Sequence, residues 1–400
     1  MSEQKTAKIG EICEQINGVS YKPADVYDSL TENATILLRA NNIFEDKLNY
    51  DELVFVDKKR VSENQYMKKG DILICASSGS KHLVGKAACL SEDKELTFGA
   101  FCKVLRPKTV NPEYFKHYFF SPSYRTEISR LSEGANINNI KASDLDNITI
   151  RLPSESVQNK IAKRLDQCLK IINNQKKELE KYDLLIKSRF IEMFGDPITN
   201  PKGWKIIKLA DSVTALPQNG MYKPQSDYVN DLSGIPILRI DGFYEGKISD
   251  WGSLKRLKCS NDDIKKYHLN ENDIVINRVN SIEYLGKCAH IQGLKETTVY
   301  ESNMMRMHFD DNRFNPVYVT KLLCSNFIYG QILNHAKKAV NQASINQKDV
   351  LDFDLYVPPL PLQNNFAAFV QQIDKSKFVV QNSLEKTETL YKSLMQMYFE

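Results

Sequence analysis

The segment Pro153–Phe194 occurs a second time 205 residues further on, as Pro358–Phe399. Pro153 falls on Pro358, Gln158 on Gln363, Ser188 on Ser393 and Phe194 on Phe399, and Asp144-Leu145 falls on Asp349-Val350 at the same shift. A fixed shift over so long a stretch makes this a two-repeat chain. That constrains the fold before any local pattern does, because both copies must satisfy one scaffold.

Each copy reads as a long helix with a coiled-coil seam. In the first, steps of four and three place Ile161, Leu165, Cys168, Ile172, Gln175, Leu179, Tyr182, Ile186, Arg189 and Met193 on one stripe. In the second the stripe is Phe366, Val370, Ile373, Lys377, Val380, Leu384, Thr387, Tyr391, Leu394 and Tyr398. Spacing sustained this far, with no Pro or Gly inside, predicts a coiled coil rather than a globular-core helix. About 38 residues at 1.5 Å each give a rod of roughly 57 Å. The polar breaks differ, Gln175 in one copy and Lys377 in the other, and such breaks fix register and partner at some cost in stability.

The regions before the helices, 1–152 and 196–357, are weaker copies of each other. KIGEI at 8–12 matches KLADS at 208–212, Tyr21-Lys22-Pro23 matches Tyr222-Lys223-Pro224, and Arg39 aligns with Arg239. KKGDILI at 68–74 matches NENDIVI at 270–276, Gly85-Lys86 matches Gly286-Lys287, and Asn111-Pro112 matches Asn315-Pro316. Between these anchors the copies diverge, as expected of one scaffold carrying two sets of loops. Short β-rich runs flanked by turn residues predict strands, Asn-Pro opens a helical run from Glu113 to Leu131, and a short strand (ITIRLP or FDLYVP) leads into each long helix. The expected domains are 1–152, a spacer helix at 153–195, 196–357, and a second spacer helix at 358–400. Phe194–Trp204, with Pro197, Pro201 and Gly203, turns the chain between repeats.

No run of 18 apolar residues exists, and the N-terminus lacks the apolar core of a signal peptide. The eight cysteines never form a CxxC pair, so they read as reduced thiols of a cytoplasmic protein. A net charge of +4 permits a nucleic-acid partner without demanding one.

Catalytic motifs are missing. Gly79–Lys86 (GSKHLVGK) imitates a phosphate-binding loop, but the glycine spacing is one residue too long and Ala87 stands where a magnesium-binding hydroxyl belongs. The six histidines have no metal-helix spacing, and there is no GxSxG elbow and no Asn-Pro-Pro-aromatic methyltransferase motif. What remains is polar loops at matched places. One follows the DILI strand, with Ser77, Ser78, Lys81 and Lys86, and its twin after DIVI carries Asn277, Arg278, Asn280 and Lys287. A second precedes the long helix, with Asn138 and Lys141 in one copy and Lys338, Asn341 and Gln342 in the other. A third is the Tyr-Lys-Pro turn, with Tyr21, Lys22, Tyr222 and Lys223, to which Arg39 and Arg239 are added. Arg and Asn can form paired hydrogen bonds to guanine and adenine edges, and Ser and Lys suit phosphate oxygens.

The repeat resembles the DNA-specificity (S) subunit of type I restriction-modification systems. The marks are a polar stretch, then Asp144-Leu145, Ile148, Ile150, Pro153, Gln158 and a long helix ending in Met193-Phe194, with Asp349, Val350, Phe353, Leu355, Pro358, Pro359 and Gln363 in the second copy. Gly70-Asp71-Ile72-Leu73 also fits, whereas Pro153-Ser154 replaces the usual Pro-Pro and Asn272 replaces the second anchor glycine. The resemblance implies an α+β fold: two pseudo-symmetric α+β target-recognition globules separated by two long antiparallel coiled-coil helices. It implies that each globule reads one half of a split, asymmetric double-stranded DNA site and that the chain has no catalysis of its own. Two methyltransferase subunits, and through them endonuclease/translocase subunits, are the implied partners. S-adenosylmethionine, ATP and Mg would be bound by those partners and none by this chain. Without the resemblance, a stand-alone DNA-binding regulator or decoy and a protein-interaction scaffold remain open.

Overall fold

The computed structural model describes residues 5–44, 46–80, 83–133, 139–340 and 342–400. The chain divides into two compact units: residues 1–178 with 380–400, and residues 179–379. Each unit therefore takes one globule and part of both long helices.

In unit 1 the helices are α1 (Ile9–Ile12), α2 (Pro112–Phe119), α3 (Pro122–Glu133), α4 (Ala142–Asp146) and the first part of α5 (Glu155–Phe194). One antiparallel sheet orders Cys13–Asn17, Cys102–Pro107, Ile72–Cys75 and Ala87–Cys89. A second sheet orders Leu96–Phe98, Ala34–Leu38, Val54–Asp57 and Val26–Tyr27, its first pair parallel. Unit 2 repeats the plan with α6 (Asn261–Tyr267), α7 (Pro316–Leu323), α8 (Asn326–His335), α9 (Gln347–Leu351) and α10 (Leu360–Phe399). Its sheets order Val213–Asn219, Met304–Phe309, Ile274–Asn277, Cys288–His290 and, separately, Tyr228–Val229, Arg256–Leu257, Ile235–Leu238, Val299–Tyr300. Each globule is closed by its own ends, Thr6–Lys8 pairing with Thr149–Arg151 and Ile206–Lys208 with Asp354–Tyr356.

The repeated anchors are the points where the scaffold is pinned. Ile72–Cys75 and Ile274–Asn277 are buried at every position. Asp71, ahead of the first, is 1% exposed and chelates Arg106 at 2.7–3.2 Å; Asp273, ahead of the second, takes His308 at 2.9 Å and Arg306 at 3.4 Å. Gly70 has φ 90° and Asn272 φ 68°, so both hold the left-handed turn into the buried strand, and Asn is among the few side chains that accept it. Gly85 and Gly286 (φ 76° and 75°) are also left-handed, and a Cβ there would stand 2.4 Å from Ile128 and 2.0 Å from Ile332. The Gly-Lys pair is thus a packing turn against α3 or α8. Asp144 and Asp349 accept the main-chain N–H of Lys141 and Asn346 and cap α4 and α9, while Leu145 and Val350 enter the core.

The Gln of the repeat joins α2 to α5 and α7 to α10. Gln158 Oε1 accepts the Asn111 N–H at 2.9 Å and its Nε2 donates to the Pro153 carbonyl at 2.8 Å. Gln363 does the same with Asn315 (2.9 Å) and Pro358 (2.8 Å).

One expectation fails. The run Glu113–Leu131 is two helices, α2 and α3, and its twin is α7 and α8. Ser121 and Ser325 close the first helix of each pair by donating their hydroxyl to the Tyr118 and Leu322 carbonyls, both at 2.6 Å. A serine bonding back three residues competes with the helical ladder, and Pro122 then starts the next helix.

Helices α5 and α10 run antiparallel within each unit. In unit 1, Arg164 donates to Tyr398 and Gln175 to Ser383; in unit 2, Lys377 meets Asp183 at 2.5 Å. The seam holds at Ile161, Leu165, Cys168, Ile172, Ile186, Phe366, Val370, Ile373 and Leu384, all buried. At the end of each helix it slips by one residue: Phe190 and Phe194, and Met395 and Phe399, are buried in place of Arg189, Met193, Leu394 and Tyr398. There the helix packs on the globule's aromatic core (Tyr318 beside Phe194, Tyr114 beside Phe399) rather than on a partner helix alone. Among the described residues no helix is long and apolar enough to cross a membrane.

Candidate nucleic-acid interface

The three polar loops, separate in sequence, meet in unit 1. Ala76 N and Ser77 N both donate to the Phe101 carbonyl at 3.0 Å, and Ile140 N donates to the Ala76 carbonyl at 2.7 Å. Ser77 bridges to Asn139. The post-DILI loop is thereby tied to the polar stretch ahead of α4. Beside them opens a cleft of about 650 Å³ whose walls include Tyr21, Arg39, Ser77, Ser78 and Phe101. The Arg39 turn is held by buried Asn42, which accepts the Arg39 N–H at 2.8 Å and donates to the Asn49 and Asp51 carbonyls. The guanidinium donates to the Glu52 carbonyl at 3.2 Å through Nη2, while its buried Nε–H has no hydrogen-bond partner.

Phe101 is 71% exposed and went unnoticed in the sequence. Its signal is an aromatic at the tip of the Gly99-Ala100 turn between two strands, where a hydrophobic side chain has no core to enter. Lys22 and Lys141 are exposed at the starts of the Pro23–Asp25 turn and of α4, and Lys86 is half-buried. Lys81 and Asn138 lie outside the described residues.

In unit 2 the same loops build a small sheet. Val279–Asn280 pairs with Ala343–Ser344, which pairs with Lys337–Lys338. The hairpin turn, closed by Ala339 N to Gln342 O at 2.7 Å, displays Lys337, Lys338, a wholly exposed Val340 and Gln342. Asn341 lies outside the described residues. Asn280 is half-buried and accepts the Ser281 N–H; Arg278 donates to the Ser302 carbonyl at 3.2 Å.

Four unit 2 candidates are buried or already engaged within the chain. Asn277 is 0% exposed, because it is the last residue of the buried central strand rather than the first of the loop. Lys287 turns its ammonium onto aromatic rings, 3.4 Å from the Tyr244 centroid and 4.9 Å from that of Phe243, and donates to the Ile240 carbonyl at 3.2 Å. Burial holds its pKa below the usual lysine value. Lys223 is paired with Asp263 at 2.8 Å. Arg239 donates to the Tyr228 hydroxyl at 3.3 Å and lies 3.9 Å from Glu301, whose carboxyl burial raises in pKa. The Tyr-Lys-Pro match is also one residue out of register. The turn Pro23–Asp25 corresponds to Gln225–Asp227, so Tyr21 lines a cleft while Tyr222 projects, 79% exposed.

The backbone of the two interfaces is the same and the chemistry is not. Gly99 N and Glu301 N donate to the Leu38 and Leu238 carbonyls, and the Phe101 and Asn303 carbonyls receive the Ala76 and Arg278 N–H groups. Glu301 therefore stands at the place of Gly99, and Asn303 at that of Phe101.

A second matched feature lies away from these loops. A groove of about 370 Å³ between α2 and α5 includes Asn111, Asn159, Ala162 and Asp166; one of about 360 Å³ beside α7 and α10 includes Asn315, Asn364, Ala367 and Gln371. In both, the helix-opening Asn donates to an Asn of the long helix, Asn111 to Asn159 at 2.7 Å and Asn315 to Asn364 at 2.9 Å.

The profile described as "Type I restriction modification DNA specificity domain" matches residues 1–181 and again 201–387. The chain belongs to the type I restriction-modification specificity subunits. It is 31% identical to the EcoKI specificity subunit of Escherichia coli K12 and 31% identical to the StySPI specificity subunit of Salmonella potsdam, each match covering 98% of this chain and 88% of the relative. Its fold is that of the S subunit from M. genitalium (TM-score 0.58 at 13% identity, covering 99% of this chain and 96% of the other). As a specificity subunit, its role within a restriction-modification complex is DNA recognition. Among the described residues no group of three or more His, Cys, Asp or Glu is placed to hold a metal ion.

Proposed function

We propose that each unit reads one half of an asymmetric, bipartite double-stranded DNA sequence, and that the chain is a non-catalytic subunit docking two methyltransferase subunits. The observation carrying this reading is the convergence of the same loops on the same backbone frame in both units, with different side chains displayed. The cleft of unit 1 offers Arg39, two serines, Tyr21 and exposed Phe101, an apolar contact suited to a thymine methyl. Unit 2 offers a hairpin carrying Lys337, Lys338 and Gln342, with Arg239 already engaged by Tyr228 and Glu301. Lysines on an exposed hairpin suit phosphate contacts, which position the protein without reading sequence.

The matched grooves of α2/α5 and α7/α10 support the second half of the proposal. An internal repeat presents one framework twice, so two identical partners can dock in equivalent ways. S-adenosylmethionine for methylation, and ATP and Mg for restriction by recruited endonuclease/translocase subunits, would then be bound by the partners.

The test is to co-express the chain with its neighbouring methyltransferase subunit in a methylation-free host and map modified bases genome-wide. A split asymmetric motif modified once on each strand is expected. A stand-alone binder would instead leave the genome unmodified and form no complex, while still binding DNA with an affinity that falls steeply with salt.

A further inference from the structure

We propose that Cys288 and Cys324 form a peroxide-oxidisable dithiol that closes into a disulfide at the foot of the unit 2 loop 277–287. The two Sγ atoms lie 3.3 Å apart although the residues are 36 positions apart in the chain. A disulfide needs about 2.05 Å, so closure asks for a little over about 1 Å of approach. Cys288 is fully buried in the strand Cys288–His290, and Cys324 caps α7. Cys324 is an exposed residue whose Sγ faces inward to the buried Cys288, and it forms part of the wall of a cavity of about 660 Å³, the route by which a small oxidant would reach the sulfur.

The environment sorts the two roles. The two thiols share one hydrogen bond in which either sulfur can donate; with Cys288 as the donor and Lys321 nearby, the Cys324 thiol is held below the usual cysteine value and the Cys288 thiol above it. The Cys324 thiolate attacks hydrogen peroxide, breaking the O–O bond, to give Cys324 sulfenic acid and hydroxide, which takes up the proton that Cys324 released on ionising to become the first water. The Cys288 sulfur then attacks the sulfenic sulfur, the S–O bond breaks, and hydroxide leaves and takes up the Cys288 proton as water. Two thiols lose two electrons and two protons overall, and one peroxide becomes two waters.

Unit 1 lacks this pair. Strand pairing places Ala87 where unit 2 has Cys288, and Phe120 caps α2 where Cys324 caps α7. The consequence for DNA rests on the function proposed above. Cys288 directly follows Lys287, whose ammonium pins the loop to Tyr244, so pulling Cys288 toward α7 displaces the foot of the unit 2 interface alone.

The full chain is treated with graded hydrogen peroxide, alkylated, and mapped by mass spectrometry with and without reductant. A Cys288–Cys324 linked peptide is expected at doses that leave the other cysteines alkylated, is reversed by dithiothreitol, and is lost in Cys324→Ser. Cys288→Ala, the residue unit 1 carries, supplies a well-packed second control. Recovery of both cysteines fully alkylated, or of Cys324 oxidised with no linked peptide, overturns the proposal. DNA binding is then compared before and after oxidation. A several-fold loss confined to the unit 2 half-site is expected. If the reduced chain fails to bind DNA, the functional reading falls while the linked peptide still stands.

Discussion

Gln363 ties residues 313–315 to the start of α10 through one amide. It is fully buried, accepts from Asn315 N, and donates to the Arg313 and Pro358 carbonyls. Gln363→Ala removes a donor and an acceptor together and leaves buried main-chain groups unpaired, at about 1–3 kcal/mol. Chemical denaturation of unit 2 checks this, and a loss under about 0.5 kcal/mol would show that water replaces the amide. The histidines set opposite pH dependences. For His308, burial disfavours the charged ring but hydrogen bonds to Asp273 and Asp311 outweigh it, and its pKa is raised above 6.5. Its contribution is complete below the unfolded value and is lost as pH rises through the folded one. Burial lowers His290 to about 4, so its contribution is present above 6.5 and is lost as pH falls toward 4. His308→Asn should flatten the alkaline side of a melting-temperature profile and His290→Asn the acid side. Unchanged profiles would show that neither ring is linked to folding.

At the scale of elements, the long helices are governed by two kinds of neighbour. Through the middle they face each other, and the polar seam residues are engaged across the pair, Lys377 by Asp183 and Gln175 by Ser383, although the buried Gln175 Oε1 has no hydrogen-bond partner. At their ends they face aromatic cores, and the stripe moves to Phe190, Phe194, Met395 and Phe399. A matched insertion of one heptad in each helix, after Glu178 and after Val379, preserves the seam. It adds about 10 Å of helix, equivalent to roughly 3 base pairs at 3.4 Å each. Methylation mapping should then report a correspondingly longer gap between half-sites. An unchanged gap would mean that the helices do not set it.

For the whole molecule, divergence of side chains on a shared backbone predicts modular specificity. Replacing residues 1–152 with the equivalent region of another specificity subunit should change one half of the modified motif and leave the other intact. Coordinated change of both halves would end the two-module reading. Arg39→Ala should reduce methylation through the unit 1 half-site about 10-fold or more, as loss of a paired base contact worth about 1–3 kcal/mol would, while Lys287→Ala should act through folding of unit 2.

The sequence alone determined the repeat, the two long helices, the buried strands and the anchors, because these are set by periodicity and by residues fit for one backbone geometry, such as Gly70 and Asn272. Only the tertiary structure decided which polar residues reach the surface. Asn277 has the residue type of a base-reading loop, yet it is the last residue of the buried strand, where unit 1 has Cys75, and the rings of Phe243 and Tyr244, some forty residues earlier in the chain, capture Lys287. The pairing of Gln158 with Asn111, and of Cys288 with Cys324, was equally hidden. Contacts between distant segments depend on how sheets and helices pack, and no local pattern records that.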